Sequence, residues 1–108
     1  MLLDVRTYTC RPGTIAKHLE LYAEKGFGPQ SRNLGQPLAY LKTETGNPNQ
    51  YIHIWVYENA ADREQRRKAM MDDAEWQNYL KLSREAGYLI RQENQLMQNV
   101  SFFPHVKP

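Results

Sequence analysis

The sequence lacks several features that would place a chain of 108 residues in a specialised class. It has one cysteine, Cys10, so no disulfide can form within the chain. No apolar run approaches the roughly 18 residues that cross a bilayer, and no membrane span is expected. The first residues alternate in polarity, which leaves no room for a secretory signal. These absences predict a cytoplasmic protein with a single domain over residues 1–108.

An excess of either charge is also missing. Lysine and arginine number 14 against 12 acidic residues, a formal net charge of +2, so no strong field would hold a polyanion. The densest basic run, from Arg63 to Lys68, is interleaved with acidic residues four positions away, which is typical of a solvated helix face. It also lacks the aromatic residues of a single-strand platform. No nucleic-acid partner is expected.

Motifs for metals and nucleotides are absent as well. There is no HExxH, CxxC, GxGxxG or GxxxxGK[ST] pattern. His18 and His105 have no second histidine or cysteine at ligand spacing. Cys10 lies beside Arg11, but no base is placed next to it, and an inert thiol is the favoured interpretation. We predict no metal and no cofactor.

Four segments have the alternation and composition of strands. The fourth is also compatible with a helix because it is rich in polar residues. The inward parity of the second and fourth strands cannot be read from their mixed composition. A turn-forming connector, GNPNQ, joins the second and third into a hairpin. The predicted strands are Leu3–Thr9, Leu38–Thr45, Tyr51–Glu58 and residues 91–102.

Helical patterns occupy the two long connections. The first begins after Thr14 and ends at Gly26, followed by breakers in which only a short turn closed by Gly35 is expected. The second begins after Asn59 and is bent or double, because Asp72 with Glu75 forms an acidic variant of a capping box. Its second half carries Trp76, Tyr79, Leu80 and Ser83 on one face and stops near Gly87.

The order of these elements predicts an α+β protein of ferredoxin-like βαββαβ topology. Such a domain has one four-stranded antiparallel sheet with its helices on a single face. Right-handed crossovers place the first and third strands together in the centre.

The third predicted strand, YIHIWVYE, has two faces of which neither suits water. We expect the aliphatic side, Ile52, Ile54 and Val56, to meet the helices. The ring-bearing side, Tyr51, His53, Trp55 and Tyr57, would then form an aromatic patch that monomers rarely expose. A second copy packed sheet to sheet is the most economical cover, so a homodimer is expected.

That covered face supplies the candidate site. Arg6 and Tyr8 should lie near His53 and Trp55, with Tyr40 and Glu44 from the neighbouring strand. Histidine exchanges protons near neutral pH, arginine holds carboxylates, and tyrosine donates to oxyanions. The alternative is that His53 and Trp55 are structural, which is the commoner role of buried histidine and tryptophan.

Five stretches in order, VRTYTCRPG, YIHIWVYEN, ADREQRR, EWQNYL and RQENQ, resemble the NIPSNAP family of dimeric α+β barrel proteins. The resemblance implies a ferredoxin-like domain that dimerises by sheet packing around a barrel-like space. It does not imply a reaction. The wider superfamily includes cofactor-free monooxygenases, lactone isomerases and haem-degrading enzymes.

Two functional hypotheses therefore stand. The first is a dimeric protein that binds a small molecule in a cavity lined by Arg6, Tyr8, Tyr40, His53 and Trp55. The second is a cofactor-independent monooxygenase or isomerase in which His53 is the base, Arg6 the anion clamp and Tyr8 a hydrogen-bond donor, or a haem-binding relative.

Overall fold

The computed structural model describes residues 1–104. Within them, four strands form one antiparallel sheet in the order β2-β3-β1-β4. The predicted central position of the first and third strands is confirmed. The strands are β1 Leu2–Cys10, β2 Ala39–Lys42, β3 Gln50–Tyr57 and β4 Leu89–Gln98.

The two edge strands differ in how well they were predicted. Strand β2 has 4 residues, half of the predicted segment. The Thr43 N–H still donates to the Gln50 carbonyl at 3.2 Å, and the chain leaves the sheet after it. The last strand is confirmed, but its 10 residues, Leu89–Gln98, begin and end earlier than predicted. Its pairing with β1 shifts register between Thr9 and Cys10. Nearly all of β4 is exposed, which explains why its sequence is polar enough to resemble a helix surface.

The first connection contains more helix than expected. Helix α1 covers Ile15–Leu21, a π-helical segment covers Tyr22–Gly26, and α2 covers Phe27–Leu34 without a break. The prediction that the helix ends at Gly26 is wrong, because the wider π turn lets the chain continue: the Phe27 N–H donates to the Tyr22 carbonyl. Gly35, at φ 85°, ends α2.

The second connection is double, as predicted, with α3 at Ala60–Met71 and α4 at Ala74–Ala86. The Asn59 Oδ1 accepts from the Asp62 N–H at 2.9 Å and caps α3. The cap of α4 is Asp73 and not Asp72, since Asp73 has the extended backbone of a cap and its Oδ1 accepts from the Glu75 N–H at 2.9 Å. Gly87, at φ 65°, ends α4 as predicted. None of the helices in residues 1–104 has the length and apolar character to cross a membrane.

The face of the sheet that meets the helices is the opposite of the predicted one. The ring-bearing residues of β3 lie inside the single chain, where Trp55 and Tyr57 are 0% exposed. They pack into one core with Tyr22, Trp76 and Tyr79 from the helical layer. The expectation that these rings are hidden by a second copy is therefore wrong. The helices carry few large aliphatic side chains on their inner faces, so the rings fill the space between the layers.

The open face of the sheet carries the aliphatic residues of β3. Ile52 and Ile54 stay half-buried because no helix covers them, and Val56 at the strand's end is buried. Leu41 of β2 and Met97 of β4, on the same side by strand register, are 55% and 50% exposed. An apolar sheet face of this kind is unusual on a monomer.

Candidate functional site

His53 is the centre of a row of stacked rings on the helix-facing side of the sheet. Tyr40 of β2 pairs directly with it across the strands, and the two ring centroids are 4.7 Å apart with planes 12° from parallel. Tyr8 of β1 stacks from the neighbouring strand on the other side at 5.0 Å. His53 is 3% exposed. Its imidazole is therefore flanked by two phenol rings and cannot swing freely.

The hydrogen bond between Trp55 and His53 sets the proton position on the imidazole. The Trp55 indole Nε1 donates to His53 Nδ1 at 2.5 Å. An indole N–H can only donate, so Nδ1 must be the acceptor and the proton of the neutral ring lies on Nε2. His53 thus presents an N–H donor on its free side.

Burial determines the charge of this histidine. Desolvation, with a further contribution from the positive charge of Arg6, lowers the pKa of His53 to about 3. The ring is neutral at physiological pH, and its single lone pair is already used by Trp55. This arrangement opposes the hypothesis that His53 is a general base, which needs a pKa near the working pH and a free lone pair.

A cavity of about 90 Å³ opens beside His53, between the sheet and the helical layer. Phenol rings make up much of its wall, and Gln92 of β4 and Ser83 of α4 add polar groups. The lining residues are Tyr8, Tyr22, Gln30, Tyr40, Tyr51, His53, Trp76, Tyr79, Leu80, Ser83, Leu89 and Gln92. No aspartate, glutamate, lysine or arginine is among them.

The phenols of the cavity remain protonated. Burial raises the pKa of Tyr79 to about 12 and raises those of Tyr22, Tyr40 and Tyr51 further. At neutral pH they can therefore donate hydrogen bonds and do not carry charge. Several phenol oxygens already have partners in the chain: Tyr22 donates to Gln30 Oε1, Tyr51 lies 2.6 Å from His18 Nε2, and the Tyr8 oxygen accepts a hydrogen bond.

The π-helical segment places Tyr22 in this wall. Gly26, one turn later, is buried, and a Cβ built on it would lie 2.7 Å from Tyr22 Cδ1 and 3.0 Å from two ring carbons of Tyr79. The missing side chain allows both rings to close over the sheet. π turns of this kind occur often at functional sites.

Behind the ring row lies a buried carboxylate, Asp4, at 0% exposure. Arg6 Nη1 donates to it at 3.2 Å, Arg63 Nε from α3 at 3.1 Å, and Asn94 Nδ2 from β4 at 3.2 Å. Two guanidinium groups therefore share one carboxylate. The Arg6 Nε also donates to the Tyr8 hydroxyl at 3.2 Å, which leaves the Tyr8 proton available for another acceptor.

The five predicted site residues lie on one face, but they do not form one lining. Tyr8, Tyr40 and His53 border the cavity. Trp55 stands behind His53 and Arg6 beside Asp4, so both act through other side chains. Glu44 is exposed beyond the end of β2 and takes no part.

Sequence reasoning missed most of the helical side of the cavity. Tyr22 was not among the candidate residues, and Trp76 and Tyr79 were expected only on one face of a helix. His18, buried against Tyr51, was set aside because no second metal ligand accompanied it. Arg63 of the basic run in α3 is less solvated than predicted, since it reaches Asp4. The pair of Arg66 with Asp62 at 2.8 Å is one of the predicted pairs four positions apart. A usable signal was the content of 7 tyrosines, high for a chain of this length.

Neither a reactive Cys10 thiol nor a metal site finds support among the described residues. Burial raises the pKa of the Cys10 thiol, which opposes a nucleophilic role. In residues 1–104, no three histidine, cysteine, aspartate or glutamate side chains come together as metal ligands. His105 lies outside the described residues.

The fold is that of a ferredoxin-like α+β domain, with one four-stranded antiparallel sheet in the order β2-β3-β1-β4. A solved structure named antibiotic biosynthesis monooxygenase shares this fold, at a TM-score of 0.62 and 21% identity over 93% of this chain and 99% of that one. At that identity the likeness concerns the fold alone.

The NIPSNAP family profile matches residues 3–104, and the chain belongs to that family. A NIPSNAP family protein with unknown function from Agrobacterium tumefaciens is similar, with 30% identity, a TM-score of 0.89 and coverage of 98% of this chain and 94% of that one. An uncharacterised NIPSNAP-like domain protein from Burkholderia xenovorans is 30% identical, with a TM-score of 0.88 over 99% of this chain and 91% of that one. The curated proteins contain no match.

Proposed function

We propose that this NIPSNAP protein is a cytoplasmic, single-domain homodimer that binds a very small molecule in the cavity beside His53. The observation that carries the proposal is the cavity itself, about 90 Å³ within one chain and lined by aromatic rings with a few polar groups. Ligand sites are generally concave and apolar with few converging polar groups. The single cysteine agrees with a reducing compartment.

The size of the cavity restricts the ligand. An engineered cavity of ~150 Å³ takes up benzene, so a space of about 90 Å³ accepts a smaller molecule. Haem and aromatic quinols exceed this volume as the cavity is shaped. The neutral, already bonded state of His53 also gives the monooxygenase and isomerase alternatives less support than binding.

The dimer is proposed to form through the open sheet face. Half-buried Ile52 and Ile54 and exposed Leu41 and Met97 leave an apolar surface on the single chain. Sheet-to-sheet packing about a twofold axis would cover it. The resemblance to the dimeric α+β barrel proteins supports the same arrangement.

The test of the binding proposal is a screen of small ligands. A panel of carboxylates, ketones, alcohols and amines smaller than benzene is titrated into the 15N-labelled protein and followed by amide shifts. At least one compound should shift residues around the cavity. Ser83→Leu, which fills the cavity from α4, should abolish these shifts. Asn78→Leu, on the exposed side of the same helix, is the matched control. If no panel member binds the folded wild-type protein at millimolar concentration, the proposal fails.

A further inference from the structure

We propose that His53 offers its Nε2–H to the ligand as a fixed hydrogen-bond donor, that Trp55 holds it in that tautomer, and that the cavity therefore selects small molecules with a carbonyl or carboxylate oxygen. The inference rests on the proposed binding function and adds the chemical class of the ligand.

The tautomer follows from the partner. Trp55 Nε1–H donates to His53 Nδ1, and a neutral imidazole has only one nitrogen that can accept. The other nitrogen, Nε2, carries the proton. No side chain or backbone group within residues 1–104 forms a hydrogen bond with it, although the His53 ring borders the cavity. The donor is therefore available to a ligand.

The ring cannot present its other nitrogen at low cost. A half-turn about the Cβ–Cγ bond would break the bond to Trp55 and leave the indole N–H buried without an acceptor, which is unfavourable. Tyr8 and Tyr40 flank the imidazole at 5.0 and 4.7 Å between ring centroids and restrict the movement further. Trp55 is thus a positioning residue that acts through His53.

The other residues that line the cavity also suit a ligand with a hydrogen-bond-accepting oxygen. The phenols of the wall are protonated donors, and the Gln30 oxygen already accepts from Tyr22. Neither a carboxylate nor a lysine or arginine lines the cavity, so an ammonium group would find no countercharge there and a carbonyl or carboxylate oxygen would be held by hydrogen-bond donors alone. Arg6, which donates to the Tyr8 oxygen, leaves the Tyr8 proton for the ligand.

The experiment uses three probes of matched size: propionate, butanone and butylammonium. The nitrogen shifts of the histidine rings are recorded at neutral pH by long-range 1H–15N correlation, and His53→Phe assigns the His53 signals by their loss. In the free wild-type protein His53 should appear as the neutral Nε2–H tautomer. Propionate or butanone should shift Nε2 while Nδ1 moves little, and butylammonium should shift neither. Which of the two binds more tightly separates a carboxylate ligand from a carbonyl ligand.

Two tryptophan variants provide the matched comparison. Trp55→Phe removes the donor to Nδ1, so both tautomers should become populated. With about half of the rings in the Nε2–H tautomer, binding of the preferred probe should weaken about twofold. Trp76→Phe removes an indole that also borders the cavity but has no hydrogen-bond partner among the described residues. It should leave the Nε2–H tautomer of His53 intact.

The outcomes separate this inference from the binding proposal. An Nδ1–H tautomer or an imidazolium in the free wild-type protein overturns the inference even if ligands bind. So does a probe that binds in the cavity without shifting Nε2, or tighter binding of butylammonium. Failure of every compound in the wider panel instead overturns the binding function, and the inference falls with it.

Discussion

Gly26 gives the most direct test of how the cavity wall is built. Replacing it with alanine places a Cβ 2.7 Å from Tyr22 Cδ1 and 3.0 Å from Tyr79 Cδ1 and Cε1. Carbon atoms prefer separations of about 3.5–4.0 Å, so both rings would have to move by several tenths of an ångström. The two rings pack edge to face at 5.7 Å between centroids and stand in the same core. Neither can move without disturbing the other.

The expected size of the effect is a balance of two contributions. Alanine in place of glycine inside a helix stabilises by about 1 kcal/mol when there is space for the methyl group. Overpacking of a core destabilises by about 1–3 kcal/mol. We expect Gly26→Ala to lower the free energy of unfolding by about 1–2 kcal/mol, since the contact involves one atom at 2.7 Å and two at 3.0 Å.

Gly28→Ala is the matched control two residues away. A Cβ on Gly28 meets no atom within 4 Å, and the site is exposed. The gain in helix propensity is offset because Pro29 disfavours helical backbone in a preceding residue with a side chain, so we expect a change close to zero. Urea unfolding at equal protein concentration measures both variants. If Gly26→Ala is as stable as Gly28→Ala, the rings do not pack as described and the argument about the π turn is refuted.

Three further predictions concern charge and assembly. Burial lowers the pKa of His53 to about 3 and of His18 to about 4, below the ordinary value of 6.5, so protons bind the unfolded chain more readily and stability falls as the pH drops below 6.5. At about pH 5 each of these two histidines should lower the free energy of unfolding by ~2 kcal/mol relative to neutral pH. In urea titrations, His53→Gln or His18→Gln should each remove about half of the combined loss. An unchanged pH profile in the variants contradicts this expectation. Asp4→Asn should lower the free energy of unfolding by about 2–3 kcal/mol, because Arg6 and Arg63 then face each other without a carboxylate between them. A loss below about 1 kcal/mol would show that charge does not hold this cluster together. Native mass spectrometry should find a dimer at micromolar concentration that Ile54→Lys dissociates; a folded wild-type monomer would contradict the interface.

The topology could be predicted because the signals that determine it are local. Alternation identified the strands, Asn59 and Gly87 marked helix ends, and right-handed crossovers placed β1 and β3 in the centre. The exceptions also have local causes. The chain passes Gly26 in a π turn, a rare conformation with no sequence rule, and the choice between adjacent Asp72 and Asp73 as cap depends on the exact turn between α3 and α4.

The candidate site could be predicted only in part. Parity placed Arg6, Tyr8, His53 and Trp55 on one face whatever covers that face. Tyr40 was expected from the neighbouring strand, but only the structure supplies the register that pairs it with His53. The helical wall depends on the docking of the helices onto the sheet, which no periodicity specifies. The same limitation explains why the two faces of β3 were assigned the wrong way round. A strand with two apolar sides can turn either side to the helices and the other to a second copy.

Because the rings of β3 face the helices and not a second copy, the ligand cavity does not depend on dimer formation. If the rings of β3 faced a second copy, loss of the dimer would open the site to solvent. In the observed fold His53 and Trp55 are 3% and 0% exposed in a single chain, so their hydrogen bond depends on the packing of helices against the sheet. Ile54, between them in sequence, points to the other side and belongs to the proposed interface. Alternate residues of one strand thus serve two separate surfaces. The cavity is expected to persist in a folded monomer, whereas a change in helix docking would alter it even in an intact dimer.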